Sequence, residues 1–381
     1  MESEEKRVDR AASSAPSRSV AIIGGGLAGL ACGLAAAQAG AAVQLYAAGG
    51  HDAVPASYVD VVPNLLRGLV RLGVGDACVR AGFPYRRTSV IGRRGTPLFS
   101  LDAARLAGAR YPGALGITWG KLKAVLTTAA IEAGVTLRQG ERALDVGQEA
   151  QGALVFVARR EPVRVDLAVM ACGVRGGLRE RVFLAQALPA GAEWSCFLAP
   201  RPLGLDDALQ ATTATGDRVH VVPVSGSVVG VRIASRHATR DGDARALRAL
   251  LSRFPVPIAA IAAHVEDDTP VVRQKVTPGL LPQPWARGSV IAVGDCAHAL
   301  PPHFGQSAAQ AVEDAVVLGE LLAQPSDRRA LAQAFAQRRT TRVQQVTSIA
   351  MQAARWQAEP DGDTDLLKLA RSLDQLVHQP A

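Results

Sequence analysis

Aromatic residues are scarce in this sequence, and their scarcity excludes one class of partner. Phe, Trp and Tyr make up 4% of the 381 residues. The formal net charge is +8, from 42 Lys and Arg against 34 Asp and Glu, but the basic residues are scattered along the chain. No stretch combines basic and aromatic residues as a nucleic-acid surface does, so we expect no nucleic-acid partner. The excess charge is better interpreted as a solvated surface that attracts anionic ligands.

Cysteines are also few, and their spacing follows no metal-binding pattern. The five, at positions 32, 78, 172, 196 and 296, are odd in number. We therefore expect reduced thiols, no disulfide framework and no metal site. No His or Asp stands at a spacing that would make Cys172 a nucleophile, so we interpret it as a small residue at the edge of the core.

Long hydrophobic runs are missing except near the start of the chain. The run from Val20 to Gly40 is apolar, but three glycines from Gly24 onwards would break a helix there. Four acidic residues among the first nine also argue against a secretory signal. We expect a cytoplasmic protein with no stable membrane insertion and a disordered polar tail over residues 1–17.

A glycine-rich motif lies between a predicted strand and a predicted helix. The strand is Ser19–Ile23, the motif is GGGLAG, and an Ala-rich helix continues to about Ala39. Gly24 allows a tight turn, Gly26 lets the backbone approach a pyrophosphate, and Gly29 lets helix and strand pack closely. The pyrophosphate would rest on the helix N-terminus at Leu27 and Ala28. The motif is weak alone, but this position predicts a dinucleotide site; the alternative is an Ala/Gly-rich helical hairpin without a ligand.

A second motif covers residues 294–315. The apolar run Val290–Val293 predicts a buried strand, which ends in Gly294-Asp295. A Pro-Pro-His-Phe-Gly loop follows, and a helix is predicted from about Gln306. This arrangement predicts a strand that delivers one carboxylate to a loop, with a ligand against the start of the next helix.

The order of predicted elements indicates a discontinuous α/β fold. Helix and strand alternate near both ends of the chain, whereas residues 83–112 and 180–278 are predicted as short strands with two short helices. Helices return at Gln306–Leu322, Arg328–Met351 and Asp365–His378. We predict a Rossmann-like domain (18–82, 113–179 and 278–345), an inserted β-rich substrate domain (83–112 and 180–277) and a C-terminal helical segment (346–381).

Both motifs resemble those of the aromatic-ring flavoprotein monooxygenases, the p-hydroxybenzoate and salicylate hydroxylase family. Shorter stretches share the resemblance, among them Val62-Pro63-Asn64 and Trp285–Gly288, and it extends from Val20 to about Val343. The resemblance implies bound FAD. It implies that Asp295 holds the ribityl chain, and that the Pro301, Pro302 and Gly305 loop and the helix start at Gln306 and Ser307 face the isoalloxazine ring.

Four positions depart from the family pattern. Ala47 stands where an acidic residue usually binds the adenosine ribose, and Trp119 replaces an Arg before the middle helix. Cys172 replaces the Asp of an Ala-Asp-Gly motif, and Ser307 replaces a glycine. Each lost hydrogen bond to a charged group is worth about 1.5–3 kcal/mol, or roughly tenfold to a hundredfold in affinity. We expect weaker FAD binding, which Lys121 or Lys123 at the pyrophosphate and Trp119 stacked on the adenine would offset.

The resemblance further implies a monooxygenase reaction. NAD(P)H and O2 would be used to hydroxylate an aromatic or polyketide-like ring through a C4a-hydroperoxyflavin. His303 is the candidate polar group beside the reacting ring, because salicylate-type relatives also place a His after the loop proline; a capping His that faces solvent is the alternative. His220 and Arg232 are weaker candidates, since polar residues on strands more often face outward. His298 is expected to support the loop.

Two other classes of function stay open. The replacements at Ala47, Trp119 and Cys172 would fit a degenerate relative that has lost catalysis and acts as a binding or accessory protein. The second class is another flavin-dependent oxidation on the same fold, such as dehydrogenation, epoxidation or halogenation. The Trp-x-Trp-x-Ile-Pro motif of flavin halogenases is absent, which disfavours halogenation.

Overall fold

A computed structural model describes residues 18–49, 56–92, 95–174, 177–186, 193–234, 244–275, 278–325, 327–358 and 365–381. The predicted tail of residues 1–17 lies outside these ranges. The mixed α/β architecture with C-terminal helices that the sequence predicted is present. The domain boundaries given above stay a prediction.

The strands are numbered in chain order. They are β1 (Ser19–Ile23), β2 (Ala42–Ala47), β3 (Tyr58–Val61), β4 (Phe83–Tyr85), β5 (Arg87–Ile91), β6 (Pro97–Asp102), β7 (Ala114–Thr118), β8 (Thr136–Gln139), β9 (Ala143–Glu149), β10 (Gly152–Val157), β11 (Val163–Val165), β12 (Leu167–Met170), β13 (Glu193–Pro200), β14 (Ala208–Thr212), β15 (Arg218–Pro223), β16 (Val228–Ala234), β17 (Val272–Lys275), β18 (Gly279–Leu280), β19 (Ala286–Arg287), β20 (Val290–Ala292) and β21 (His298–Ala299).

The helices are numbered in the same way. They are α1 (Leu27–Gln38), α2 (Pro63–Arg71), α3 (Gly75–Ala81), α4 (Trp119–Glu132), α5 (Leu178–Phe183), α6 (Ala244–Leu251), α7 (Gln306–Leu322), α8 (Arg328–Ala358) and α9 (Leu366–His378), with 3-10 turns at Ala259–His264, Gly294–Cys296 and His303–Gly305. None of these described helices is long and apolar enough to span a bilayer.

A six-stranded sheet lies at the centre of the region that contains the glycine-rich motif. Its strand order is β19-β20-β12-β1-β2-β8, and every pair is parallel except β19 with β20. β1 and β12 are buried almost throughout, which explains why their sequences are continuous apolar runs. Helix α1 is buried from Gly29 to Ala36 between this sheet and α7. Its small Ala and Gly side chains permit that close packing.

A seven-stranded sheet forms the second layer. Its order is β17-β13-β16-β15-β14-β5-β6, and β14 with β5 is its one parallel pair among the described strands. Strands β5 and β6 thus join strands that follow them by about a hundred residues in the chain. The hydrophobic cluster below this sheet includes Phe197, Val221, Val231 and Leu251.

The small sheet β3-β7-β4 connects the two regions. The ring of Tyr58 on β3 lies so close to Gly230 on β16 that a Cβ there would be 2.2 Å from its Cδ1. Gly116 on β7 likewise lies against Pro223, whose carbonyl oxygen would be 2.2 Å from an added Cβ. Through these two contacts β3 and β7 pack against β16 and β15 of the seven-stranded sheet.

Several predicted elements differ in extent from the structure. The helix predicted over Arg328–Met351 continues to Ala358, and the helix predicted at Ile258–His264 is a 3-10 turn. Asp365 is the cap of α9 because its side chain accepts a hydrogen bond from Lys368 N at 2.8 Å. The strand β3 and the short helix α3 had not been predicted.

Candidate active site

The glycine-rich turn has the geometry that a pyrophosphate requires. Gly24 has a φ of +122°, and its N–H donates to Tyr46 O at 2.9 Å. A Cβ on Gly29 would lie 1.8 Å from Gly24 O, so this position must be glycine for α1 to meet β1. At Gly26, by contrast, a Cβ would meet no described atom within 4 Å. The open space therefore lies where the start of α1, at Leu27 and Ala28, presents its N–H groups.

The carboxylate of Asp295 lies beside this turn. Residues 289–301 are all buried except Asp295, which is exposed. Gly294 has a φ of +56°, and a Cβ there would lie 2.7 Å from the Cβ of Ala28 in the first turn of α1. The two predicted FAD motifs thus meet in space. Ser307 Oγ donates to Asp295 Oδ1 at 2.6 Å and orients the carboxylate.

The proline loop connects this carboxylate to a cavity. Pro301 is buried, whereas Pro302 and His303 line the cavity. Gly305 has a φ of +65°, and a Cβ there would lie 2.8 Å from Val62 Cγ1. Gly305 is the cap of α7, and no side chain caps the N–H groups that follow it in the described chain. The loop therefore presents backbone donors on the side that the resemblance assigns to the flavin ring.

The side chain of Gln306 points away from that ring position, into the protein. It is 3% exposed, donates to Asn64 Oδ1 at 3.2 Å, and accepts from Asn64 and Gln310 at 3.1 Å. Only the backbone of Gln306 is thus placed to face a cofactor.

Trp119 and Lys121 lie at the start of α4, which packs beside α1. Trp119 is half-buried against the core cluster, and its backbone N–H donates to Ser57 O at 3.0 Å. Lys121 is exposed, and its N–H donates to the capping Thr118 Oγ1 at 3.4 Å. Ala47 ends β2 with its Cβ 2.7 Å from the position of a Cβ on Gly25, so the side chain at this position is a methyl group that packs against the glycine-rich turn.

These observations fit an FAD molecule. The space at Gly26, the uncapped start of α1 and the exposed carboxylate of Asp295 match a pyrophosphate and the polar chain that follows it. No described group of His, Cys, Asp and Glu side chains is arranged to hold a metal ion.

A cavity of about 370 Å³ lies where the proline loop meets the seven-stranded sheet. This volume suits a small aromatic molecule. Loop residues, strand residues and the C-terminal helices all contribute to its wall: Val90, Ile91, Gly92, Thr96, Leu98, Trp194, Gln210, Ala211, Thr212, Arg218, Val219, His220, Arg232, Pro302, His303, Trp356 and Leu366.

His220 faces this cavity from β15 and is buried. Tyr58 lies behind it, donating from its hydroxyl to His220 O at 3.1 Å and lying 3.4 Å from His220 Nδ1. Asp60 Oδ2 is 3.5 Å from His220 Nε2. Burial, together with nearby Arg232 and His303, lowers the pKa of His220 to about 3. The imidazole is therefore neutral at physiological pH.

Asp60 is a functional candidate that the sequence analysis missed. It is 8% exposed, and Tyr85 donates from its hydroxyl to Asp60 Oδ1 at 2.5 Å. Burial raises the pKa of Asp60 to about 6, although the Tyr85 hydrogen bond and Arg232 oppose that shift. An Asp inside the apolar strand sequence Tyr-Val-Asp-Val was the available signal, because an unpaired charge there is costly.

Two arginines give the cavity a positive wall. Arg232 lies over the ring of Tyr58, 5.2 Å from its centroid, and Arg218 lies 5.4 Å from the ring centroid of Trp194. Burial alone would lower the pKa of Arg232, but Tyr58, Cys196 and Asp60 raise it, so the guanidinium stays charged. An anionic group in the cavity would therefore be attracted.

His303 joins His220 in the same cavity. It is 9% exposed and packs edge-on against Trp194, with ring centroids 6.3 Å apart and an interplanar angle of 85°. This placement differs from the alternative of a capping His that faces solvent. His303 thus stands between the proline loop and the aromatic wall.

A buried ionic network supports the loop from below. Asp314 Oδ2 accepts from Gly294 N at 2.8 Å and contacts His298 Nε2 at 2.7 Å, and Arg339 Nε donates to Asp314 Oδ1 at 2.7 Å. Burial alone would raise the pKa of Asp314, but His298 and Arg339 hold it below the usual value. Glu313 beside it accepts from Arg342 Nε at 2.7 Å. His298 therefore supports the loop, whereas the Glu313-Asp314 pair was not foreseen.

Comparison with known proteins identifies related sequences and folds. The family model described as FAD binding domain matches residues 17–350. The putative FAD-dependent monooxygenase YetM of Bacillus subtilis is 26% identical over 343 residues, covering 88% of this chain and 92% of that protein. Salicylate hydroxylase of Pseudomonas putida is 28% identical over 361 residues, covering 80% and 76%.

A solved structure shares the fold. Klebsiella pneumoniae HpxO complexed with FAD and uric acid superposes with a TM-score of 0.75 at 24% identity, over 95% of this chain and 92% of that one. The arrangement of sheets and helices described above is therefore that of a known flavoprotein fold.

Proposed function

This chain belongs to the FAD binding domain family, and we propose that it uses NAD(P)H and O2 to hydroxylate an anionic aromatic small molecule. The predicted family and its FAD-dependent monooxygenase activity are confirmed by the family match and by the relatives. The reductant, the substrate class and the residue roles that follow are the proposal.

FAD, when bound, supplies the activation of O2 and the oxygen transfer. The protein residues that would hold it are those of the two motifs. The turn at Gly24 and Gly26 and the start of α1 would bind the pyrophosphate through backbone N–H groups, and Asp295 would bind the polar chain. Lys121 would add a cation at the pyrophosphate, and Trp119 would add a stacking surface at the adenine.

One observation carries the assignment of the reaction site. Pro302 and His303 belong to the loop that follows Asp295, and they line the same cavity as His220 and Arg232 on the seven-stranded sheet. A ring in this cavity would therefore contact both the flavin-facing loop and the polar groups of the sheet. Wall residues from α8 and α9, Trp356 and Leu366, help to exclude water from it.

The charge of the cavity indicates the substrate class. Arg232 and Arg218 favour a carboxylate or an ionised ring oxygen, and Trp194 offers a flat apolar surface for the ring. Salicylate hydroxylase is named for salicylate and the HpxO structure contains uric acid, and both are acidic ring compounds. We infer that the substrate of this protein is also an acidic, electron-rich ring.

Asp60 and His220 are assigned to proton transfer. A general base works best when its pKa lies near the working pH, so Asp60 at about 6 is a better acceptor than His220 at about 3. His220 lies between the cavity and Asp60. In this assignment the proton of the substrate hydroxyl ends on Asp60, and the neutral imidazole of His220, whose Nε2 lies 3.5 Å from Asp60 Oδ2, stands between the two. His303 is assigned to positioning the reacting edge of the ring.

The first experiment is the visible spectrum of the purified protein, before and after adding excess FAD and desalting. Retained flavin bands would support the cofactor assignment. NADH and NADPH oxidation would then be followed with salicylate, with 4-hydroxybenzoate and with uncharged phenol as the control, and products would be analysed by mass after reaction with isotopically labelled O2. We expect one labelled oxygen in the product of an acidic ring.

Two results would contradict the proposal. A colourless protein that cannot retain FAD would favour the accessory role that the replacements at Ala47, Trp119 and Cys172 suggested. Retained flavin with rapid reductant oxidation, but with a dehydrogenated product that carries no labelled oxygen, would indicate another oxidation on this fold.

A further inference from the structure

Cys172 and Cys296 lie side by side although 124 residues separate them. Their Sγ atoms are 3.5 Å apart. The proximity follows from the sheet, because β12 and β20 are parallel neighbours with Met170 paired to Ala292, and each thiol follows the carboxyl end of its strand. The sulfur atoms of a disulfide are about 2.05 Å apart, so a movement of about 1.5 Å would join this pair.

The two thiols differ in access. Cys296 is fully buried, whereas Cys172 is half-buried and can be reached by a small solute. The other three cysteines, Cys32, Cys78 and Cys196, are buried free thiols. Cys172 is therefore the thiol that a dissolved oxidant would meet first.

A buried cation lies next to the pair. Arg179 is 2% exposed, and its Nε donates to Cys296 O at 2.9 Å. Its Nη2 is buried with no hydrogen-bond partner among the described residues. Contact with the Cys296 thiol lowers the pKa of Cys172 against the effect of burial, and Arg179 acts in the same direction while Glu180 opposes it. Because Cys172 is also the more exposed of the two thiols, it is the nucleophile and Cys296 the second thiol.

We propose that Cys172 and Cys296 form a peroxide-sensitive thiol pair that closes to a disulfide between the carboxyl end of β12 and the second FAD-binding motif. The Cys172 thiol loses its proton, the thiolate attacks hydrogen peroxide, an S–O bond forms, the O–O bond breaks, and the departing hydroxide takes up that proton and leaves as water. The Cys296 sulfur then attacks the resulting sulfenic acid, the S–S bond forms, the S–O bond breaks, and hydroxide leaves as water with the Cys296 proton. Two thiols are oxidised and one peroxide is reduced to two waters.

The bond would join two segments that shape the cofactor site. Cys296 follows Asp295 directly, and Cys172 follows Ala171, whose carbonyl oxygen lies 2.3 Å from the position of a Cβ on Gly24. A covalent link between them opposes separation of the second motif from the end of β12, which lies against Gly24 of the first motif. We expect FAD to leave the oxidised protein several-fold more slowly. This consequence rests on the proposed function, but formation of the disulfide does not.

The test is a peptide analysis of the purified full chain. Protein that has been reduced and desalted is treated with a small excess of hydrogen peroxide, and the remaining thiols are blocked with N-ethylmaleimide. Trypsin releases Cys172 in the peptide 165–175 and Cys296 in the peptide 288–328, each with a single cysteine. We expect these two peptides to be linked, and the link to disappear after reduction.

Variants separate the roles of the two thiols. Cys172→Ser should remove the link and leave Cys296 unmodified, whereas Cys296→Ser should leave Cys172 as a sulfenic acid that dimedone captures. Cys78→Ala is the matched control and should retain the link. FAD release from oxidised and reduced holoprotein, followed by flavin fluorescence, measures the consequence.

Three results would overturn the proposal. The first is peroxide treatment that leaves peptides 165–175 and 288–328 unlinked while Cys172 accumulates sulfinic acid or remains a thiol. The second is linkage of Cys172 to another cysteine. The third is formation of the Cys172–Cys296 disulfide with an unchanged rate of FAD release. That result would show that oxidation does not affect cofactor retention. A protein that binds no FAD would still report on the first two results, so failure of the proposed function is distinguishable.

Discussion

Arg339 donates a hydrogen bond at 2.7 Å to Asp314, the same carboxylate that receives the N–H of Gly294 in the cofactor loop. Arg339 is fully buried. The loop that presents Asp295 is thus held by an ionic contact on the inner side of the protein. This contact leads to the first prediction.

Replacing Arg339 with Met should destabilise the protein strongly. Removing one partner of a buried ion pair leaves an uncompensated charge and costs about 3–5 kcal/mol. Arg338→Met is the matched control, because Arg338 pairs with Glu320 at the surface and such pairs contribute about 0–1 kcal/mol. Urea unfolding and flavin content after desalting measure both variants. Equal stability of the two would show that the buried pair does not support the loop.

Two glycines of the first motif should respond differently to alanine. A Cβ on Gly26 meets open space, so Gly26→Ala should fold within about 1 kcal/mol of the parent while occupying the pyrophosphate position and reducing FAD affinity at least about tenfold. A Cβ on Gly29 would lie 1.8 Å from Gly24 O, so Gly29→Ala should lose stability even without FAD.

Thermal unfolding of the cofactor-free proteins and titration with FAD separate these two effects. Normal FAD affinity in Gly26→Ala would contradict the assignment of the pyrophosphate to this turn.

Asp60 should make stability and activity depend on pH. Its pKa of about 6 lies above the unfolded value of about 3.9, so the folded state retains the proton to higher pH. The free energy of unfolding should therefore fall as pH rises from about 4 to about 6, by about 3 kcal/mol from this group. Asp60→Asn removes that loss, so near about pH 8 it should be more stable than the parent and near about pH 4 equally stable.

The same group should set the activity profile. The parent should lose kcat as pH falls through about 6, because a protonated Asp60 accepts no further proton, and Asp60→Asn should show low kcat without that inflection. Asp102→Asn is the control, since Asp102 is 83% exposed outside the cavity. An unchanged inflection in Asp60→Asn would assign the titration to another group.

Arg232 should discriminate acidic from neutral rings. Arg232→Gln removes a hydrogen bond to a charged group, so KM for a carboxylate-bearing substrate should rise about tenfold to a hundredfold, with a much smaller change for uncharged phenol. Arg201→Gln is the matched control. The Cζ of Arg201 also lies over an aromatic ring, 4.9 Å from the centroid of Phe83, but Arg201 is outside the cavity wall. Equal effects on both substrates would contradict recognition of the anion.

The sequence predicted the elements whose signals are local. Helix α7 begins at Gln306 and ends at Leu322 as predicted, because a glycine cap precedes a long apolar run there. The glycine turn and Asp295 were recognisable because each belongs to a short motif whose residues are close together in the chain. His298 could be assigned to support because it follows the Gly-Asp pair closely.

Contacts between distant segments were beyond the sequence patterns. Asp60 and His220 lie 160 positions apart and meet only because β3 packs across β15 and β16. Cys172 and Cys296 meet because their strands are neighbours in the sheet. Predicting this contact requires the strand order of the sheet, which the sequence patterns do not give. The inward direction of the Gln306 side chain follows from Asn64 on α2, which no spacing rule connects to it.

The packing of Tyr58 on Gly230 sets a limit on how this protein can be recombined with its relatives. A chimera that exchanges residues 180–277 alone would place an unrelated strand beneath Tyr58 and would separate His220 from the parental Asp60 and Tyr85. Any larger residue at the position of Gly230 would collide with the ring. The transferable unit of specificity is therefore the inserted strands together with the segment 58–85, and successful grafts should carry both.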